Sequence, residues 1–297
     1  MEAKFMDIRN ILVPLYDGGT DSALTTALLF ARKFGAHISA LVATGDARDV
    51  APLAGEGLSG AMVEEMMQAT EAEDRKRVLQ IKAKFDAFTQ KHDLRPQRPL
   101  SWDRSPDDTG LSASFDIVTG SAHDAVVWRA RLADMTVVPH MSETDNARAT
   151  ETLHAILFDS GRPLIVAPPR IPAVVGRRLC IAWNGTAEAS AALRSTLAVA
   201  QSADAVRVLV SPDYHRIGPE GERVIAYLNL HGVHADLHEF RSIDRSVGAG
   251  MLAAARAFEA DMLSLGAYSH SRLRQMIIGG VTRHVLEKAD LTVLMSR

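Results

Sequence analysis

Short apolar runs alternate with stretches of helical length along this chain, and after a cluster of prolines the alternation starts again. Strands that are apolar on both faces, each followed by a helix, have few ways to be buried. They line up in a parallel sheet with helices on both sides. In the first pass the pattern predicts strands over 11–15, 37–42, 113–118, 135–138 and 164–167. Between them it predicts helices over 23–34, 61–92 and 122–132, and one ending near Ser160. Asp21 or Ser22 reads as the first cap, Gly35 as the stop, and 96–110 as a connector. Pro168, Pro169 and Pro172 interrupt regular structure. Strands then follow over 179–182, 206–210, 234–240, 262–265 and 291–295, with helices over 187–200, 220–230, 247–258 and 281–288.

Local echoes point to duplication of one unit. Ala133-Asp134-Met135 recurs as Ala260-Asp261-Met262, each leading into a strand. Ile11 aligns with Cys180 by the apolar runs, and Asp134 with Asp261. The two spacings differ by about the length of a charged helix and its loop, so the first unit carries a helical insertion over about 45–100. The fold class is therefore α/β: two tandem doubly wound parallel-sheet domains, over 1–172 and 173–297. In such folds ligands bind outside the carboxyl ends of the strands.

Function is concentrated near the C-terminus. Asp261-Met262-Leu263-Ser264-Leu265 reads as a buried strand ended by Gly266, followed by an irregular basic loop. Gly279-Gly280 then opens a helix with Val281, Val285 and Leu286 at helical spacing. Strand, glycine, basic loop, paired glycines and helix N-terminus together describe a backbone cradle for phosphate. An ordinary strand–loop–helix turn also explains the glycines, and spacing alone leaves both readings open.

These residues resemble the universal stress proteins, whose G-x2-G-x9-G-(S/T) motif follows the fourth strand and binds ATP. Gly266, Ser269, Gly279 and Gly280 fall on the four motif positions with the spacing intact. Ser269 replaces the second glycine, and Gly280 replaces the hydroxyl residue, which Thr282 could supply. The resemblance implies Rossmann-like domains of the adenine nucleotide alpha-hydrolase type, paired within one chain like the family's homodimer. It also implies that the strand ends at Ala182, Trp183, Asn184, Val210 and Ser211 border the adenosine. Asn184 stands where the family has Asp. His270, Arg272, Arg274, Arg283 and His284 surround the cradle, although arginines on a loop are most often simply solvated. The expected ligand is ATP, ADP or AMP, with or without Mg²⁺, and the expected role is stress response or signalling. In the first repeat the matching loop after Val138 is short, acidic and free of glycine over 139–147, so no nucleotide is expected there.

Composition narrows the alternatives. The chain has 297 residues, 47% hydrophobic, with a formal charge of -3, so no global field favours nucleic acid or anionic membrane. No signal-like or membrane-spanning run occurs, which leads to the expectation of a cytoplasmic protein. The one cysteine, Cys180, sits in a strand-like run and reads as packing rather than a nucleophile. His234 and His238 lie too far apart along a strand to share one ion with His231, so no metal site is assigned. No carboxylate is placed to orient an attacking water, so no catalytic residue is assigned and hydrolysis is at most slow.

Two other readings stay open. Without nucleotide, the protein would be a scaffold whose 61–92 helix recruits partners, and a homodimer is compatible with either reading. Alternatively Asp17-Gly18-Gly19-Thr20-Asp21-Ser22 resembles the S-G-G-x-D-S loop of AMP-forming ATP pyrophosphatases, with Asp17 in place of the leading serine.

Overall fold

The computed structural model describes residues 8–16, 20–45, 60–97, 111–120, 122–141, 147–268 and 280–297. The first repeat runs β1 (Asn10–Pro14), α1 (Thr20–Phe34), β2 (His37–Thr44), α2 (Gly60–Lys91), β3 (Arg95–Pro96), β4 (Ser112–Thr119), α3 (Ala122–Ala130), β5 (Met135–Val138), α4 (Ala147–Asp159) and β6 (Leu164–Val166). The second runs β7 (Arg178–Ala182), α5 (Ala187–Gln201), β8 (Ala205–Val210), α6 (Gly221–Leu230), β9 (Ala235–Glu239), α7 (Val247–Ala257), β10 (Met262–Gly266), α8 (Gly280–Lys288) and β11 (Thr292–Ser296).

Both repeats contribute to one 11-stranded sheet, ordered β3-β4-β2-β1-β5-β6-β11-β10-β7-β8-β9. Neighbours within each repeat are parallel. The repeats join through β6 and β11, which pair antiparallel with Ile165 opposite Leu294. These are the equivalent last strands of the two units, so the pseudo-dimer closes edge to edge. The central strands are buried on both faces, as their unbroken apolar runs require. Helices α1, α2, α5 and α6 cover one face and α3, α4, α7 and α8 the other, and each core includes side chains of both repeats.

The recurring acid has a structural cause. Asp134 accepts from the backbone N–H of Arg9 (2.7 Å) and Asn10 (2.9 Å). Asp261 does the same for Arg177 (3.1 Å) and Arg178 (2.9 Å). Each carboxylate satisfies donors where the first strand of its repeat meets its inner neighbour, β1 beside β5 and β7 beside β10.

Strand pairing corrects the alignment read from apolar runs. Ile11 pairs with Met135, and Leu179 with Met262, so Ile11 corresponds to Leu179 rather than Cys180. Helix α1 also starts earlier than expected, at Thr20, which places Asp21 and Ser22 inside its first turn. Ser22 does not cap; its hydroxyl donates to the Pro168 carbonyl at 2.5 Å. Gly35 ends α1 with φ +65°, as expected. The connector conceals β3, two exposed residues paired with β4. After the second strand, α2 has 32 residues where α6 has 10.

Side-chain contacts on both faces also join the repeats beyond the sheet. Gly176 (φ +65°) follows the proline cluster; a Cβ there would lie 2.3 Å from Val199 Cγ1, and its carbonyl accepts from Lys33 Nζ at 2.9 Å. On the other face, Tyr268 packs on Phe158 and His154 of α4, with ring centroids 4.9 and 5.9 Å apart. Arg297 lies over Phe158 at 4.4 Å.

Candidate functional site

The carboxyl ends of β7, β8 and β10 converge with the N-termini of α5 and α8 in the second repeat. Gly266 and Gly280, the first and last of the motif positions, differ in what surrounds them. A Cβ on Gly266 would sit 2.4 Å from Ala189 N and 2.5 Å from Glu188 C. Its missing side chain is therefore explained by the close approach of β10 to the first turn of α5. Among the described residues, a Cβ on Gly280 would meet nothing within 4 Å, so none of them crowds the start of α8, where an anion would suit a helix N-terminus. Between them Ser269, His270, Arg272, Arg274 and Gly279 lie outside the described residues.

Asn184 is buried at 2% exposure. Its Oδ1 accepts from Thr186 N (3.2 Å) and Thr186 Oγ1 (2.9 Å). Thr186 in turn caps α5 by accepting from Ala189 N at 3.3 Å. The Asn184 oxygen is thus spent on fixing the helix entry, and only its amide nitrogen is left to address a base.

The segment 211–219 folds back over this corner. Arg216 N donates to the Asn184 carbonyl at 2.8 Å, and Trp183 Nε1 to the Pro219 carbonyl at 2.8 Å. Gly185 adopts φ +86° beneath it, and a Cβ on Gly218 would fall 2.0 Å from the Gly185 oxygen. Both glycines are required by this crossing. Trp183 is consequently a buried anchor for the segment. The Val210 side chain faces Gly221 at the start of α6, its Cγ1 2.9 Å from where a Cβ would lie. Ala182 is buried in the core with Cys180, whose thiol burial pushes up to about 12. That thiol is packing, as the sequence suggests.

On α8, Val281 packs against the core, and Thr282 is buried in the first turn. His284 is wedged against Gly248 of α7, where a Cβ would lie 2.8 Å from the His284 Cβ. Arg283 is turned along α8, its Nε donating to Glu287 at 2.7 Å, which holds the Glu287 carboxyl below its ordinary range. Of the expected site residues, the structure thus gathers Ala182, Trp183, Asn184, Val210, Gly266, Gly280, Val281 and Thr282 around one end of the second repeat's strands.

Sequence reasoning passed over Tyr268, the last described residue before the loop. It holds φ +59°, a left-handed conformation uncommon for a bulky side chain, and its buried hydroxyl has no hydrogen-bond partner among the described residues. Burial pushes this phenol up to about 12. Its only sequence signal is an aromatic residue directly after a strand-ending glycine.

The first repeat is built differently at the same place. Following the corrected register, Tyr16 occupies the position of Asn184, and burial pushes its phenol up to about 12, opposed by the Thr152 hydroxyl. Pro139 stands where Gly266 does. Asp17, Gly18 and Gly19 of the pyrophosphatase-like loop lie outside the described residues. The two hydroxyls of that loop, on Thr20 and Ser22, donate to the carbonyls of Tyr16 and Pro168. Among the described residues no group of three His, Cys, Asp or Glu side chains could hold a metal, and no helix is long and apolar enough to cross a membrane.

Residues 176–297 match the family model described as the universal stress protein family. That match spans the second repeat. Two solved structures extend the likeness in fold. A universal stress protein from Archaeoglobus fulgidus is 12% identical, with 98% of this chain and 97% of that one covered at a TM-score of 0.62. A putative universal stress protein from Pseudomonas aeruginosa is 15% identical, with coverage of 97% and 93% and a TM-score of 0.55. No curated protein matches the sequence. At these identities the structures speak for the tandem α/β architecture of the whole chain, and the family match for its second half.

Proposed function

We propose that this chain is a universal stress protein whose second repeat binds one adenine nucleotide, ATP, ADP or AMP, and that the protein acts in stress response or signalling. The observation that supports this most is the open backbone at Gly280, at the N-terminus of α8, within the part of the chain that matches the family. Phosphate oxygens would rest on the main-chain N–H groups of Gly279, Gly280 and Val281, with Thr282 in the same turn and Ser269, His270 and Arg272 on the preceding loop. The adenosine would lie toward Asn184, Trp183, Ala182 and Val210. Mg²⁺ would reach the site with the nucleotide, since no carboxylate among these residues offers it a ligand. Turnover is not part of the proposal.

Isothermal titration of the folded protein with ATP, ADP and AMP tests this reading. Gly279→Trp should abolish binding while leaving the thermal melt unchanged, because a bulky side chain blocks the anion's approach. Undetectable binding of all three nucleotides at about 1 mM, an affinity weaker than about 4 kcal/mol, would refute it.

A further inference from the structure

Helix α2 carries features that a nucleotide site does not need. Its 32 residues span roughly 48 Å. One face is buried through Val63, Ile81 and Phe85, with Val78 and Phe88 half-buried beside them. Arg77 donates to the Ala43 carbonyl at 3.0 Å, so residues 74–77 lie level with the carboxyl end of β2. Since α2 runs back toward the start of β4, residues 60–73 project beyond the sheet.

The opposite face is a seam. Met62, Glu65, Ala69, Ala72, Lys76, Leu79 and Ala83 recur at alternating spacings of three and four, the heptad pattern of a helix that meets another helix. Met62 is 51% and Leu79 64% exposed. Small residues flank the leucine, and a shallow depression runs along Ala72, Lys76, Leu79 and Ala83.

Charge decides what fits there. Residues 60–74 hold Glu64, Glu65, Glu71, Glu73 and Asp74 and no Lys or Arg. Residues 75–91 hold Arg75, Lys76, Arg77, Lys82, Lys84 and Lys91, with Asp86 their sole acid. Within the helix, Arg77 pairs with Asp74 and Lys82 with Asp86. Glu64, Glu65, Glu71 and Glu73 make no ion pair among the described residues. The helix dipole does not account for this split, because its influence fades within a turn and the first turn of α2 has no acid. A polyanion would be repelled by the acidic half and a polycation by the basic half.

We infer that α2 docks antiparallel on α2 of a second copy of this chain. The acidic half of each helix then lies along the basic half of the other, and Leu79 of one copy packs over Ala69 of its mate. The axis passes at Asp74, which sets Glu73 beside the mate's Arg75 and Glu64 beside the mate's Lys84, and the contact is self-complementary, so it closes as a dimer rather than growing into a filament. With only 10 residues, α6 offers no equivalent face in the second repeat.

Sedimentation equilibrium of the full-length protein tests this. The expected result is a dimer at low salt whose dissociation constant rises at least about tenfold in 1 M salt, where screening shortens to about 3 Å. Leu79→Glu should weaken it at least as much, whereas Leu230→Glu, at the still more exposed end of α6, should leave it unchanged. A chain with Glu64, Glu65, Glu71 and Glu73 changed to Lys, and one with Arg75, Lys76 and Lys84 changed to Glu, should each be monomeric, yet form a heterodimer when mixed. Recovery on mixing shows that both variants are folded. A wild-type monomer up to about 100 µM at low salt, about 5 kcal/mol of affinity or less, would overturn the inference. So would a dimer indifferent to Leu79→Glu, or two charge variants that stay apart.

Discussion

Apart from the extra edge strand β3, the two repeats keep the same sheet order and the same carboxylate before β5 and β10, yet they differ at the carboxyl ends of their strands and in the helix after the second strand. Asp134 and Asp261 hold equivalent backbone donors within a few tenths of an ångström of each other. At the carboxyl ends, Asn184 and Gly266 of the second repeat face Tyr16 and Pro139 of the first. In the helix after the second strand, 32 residues stand against 10. Duplication has kept the residues that close the sheet, while the strand ends and the helix after the second strand have diverged.

The strongest challenge to that contrast is stoichiometry. One nucleotide per chain is expected by titration, with loss of all binding in Gly280→Val and none in Tyr16→Phe; two equivalents would erase the distinction. Next in size is Gly266→Ala. The added methyl would overlap backbone atoms of α5, so stability should fall by about 1–3 kcal/mol in urea unfolding, with or without nucleotide. If Gly266→Ala lost binding but not stability, the glycine would belong to the cradle instead. The paired acids give the matched comparison: Asp261→Ala and Asp134→Ala should each cost about 1–3 kcal/mol, since each removes charge-assisted hydrogen bonds from exposed and part-buried backbone N–H groups. A difference beyond about 1 kcal/mol would show that the repeats do not share this device equally.

The smallest expected effect concerns pH. In the second repeat Arg207 grips Asp236 with bonds of 2.8 and 2.6 Å, whereas the first has Ser39 and Ser114 at that register. The Arg207 hydrogen bond holds the Asp236 carboxyl below its ordinary range. A depressed carboxylate contributes stability that is complete above its unfolded pKa of about 3.9 and is lost as pH falls through the folded value. Asp236→Asn should therefore flatten the stability profile only below about pH 4, by a modest amount because the pair is partly exposed. Acid denaturation curves that superimpose for mutant and wild type would exclude this contribution.

The strand and helix pattern was legible because apolar runs and helical spacing are local. β3 was not, since two exposed residues including a proline carry no periodicity. The one-residue slip between Leu179 and Cys180 arose because an apolar run does not encode its own hydrogen-bond register. In the candidate site, the motif glycines were visible in the chain, but their separate reasons were not. Gly266 is explained by α5, brought to it from far along the sequence, and Gly280 by the space around it. The turning of the Asn184 oxygen toward Thr186 depends on side-chain geometry that residue type alone leaves open.

The antiparallel seam between β6 and β11 reverses the strand direction midway across the molecule. The mouths of the two repeats therefore open at opposite poles. A companion chain gripping the projecting turns of α2 would sit away from the proposed nucleotide site, so occupancy at one pole need not obstruct the other. Any conversation between them would have to travel the width of the shared sheet.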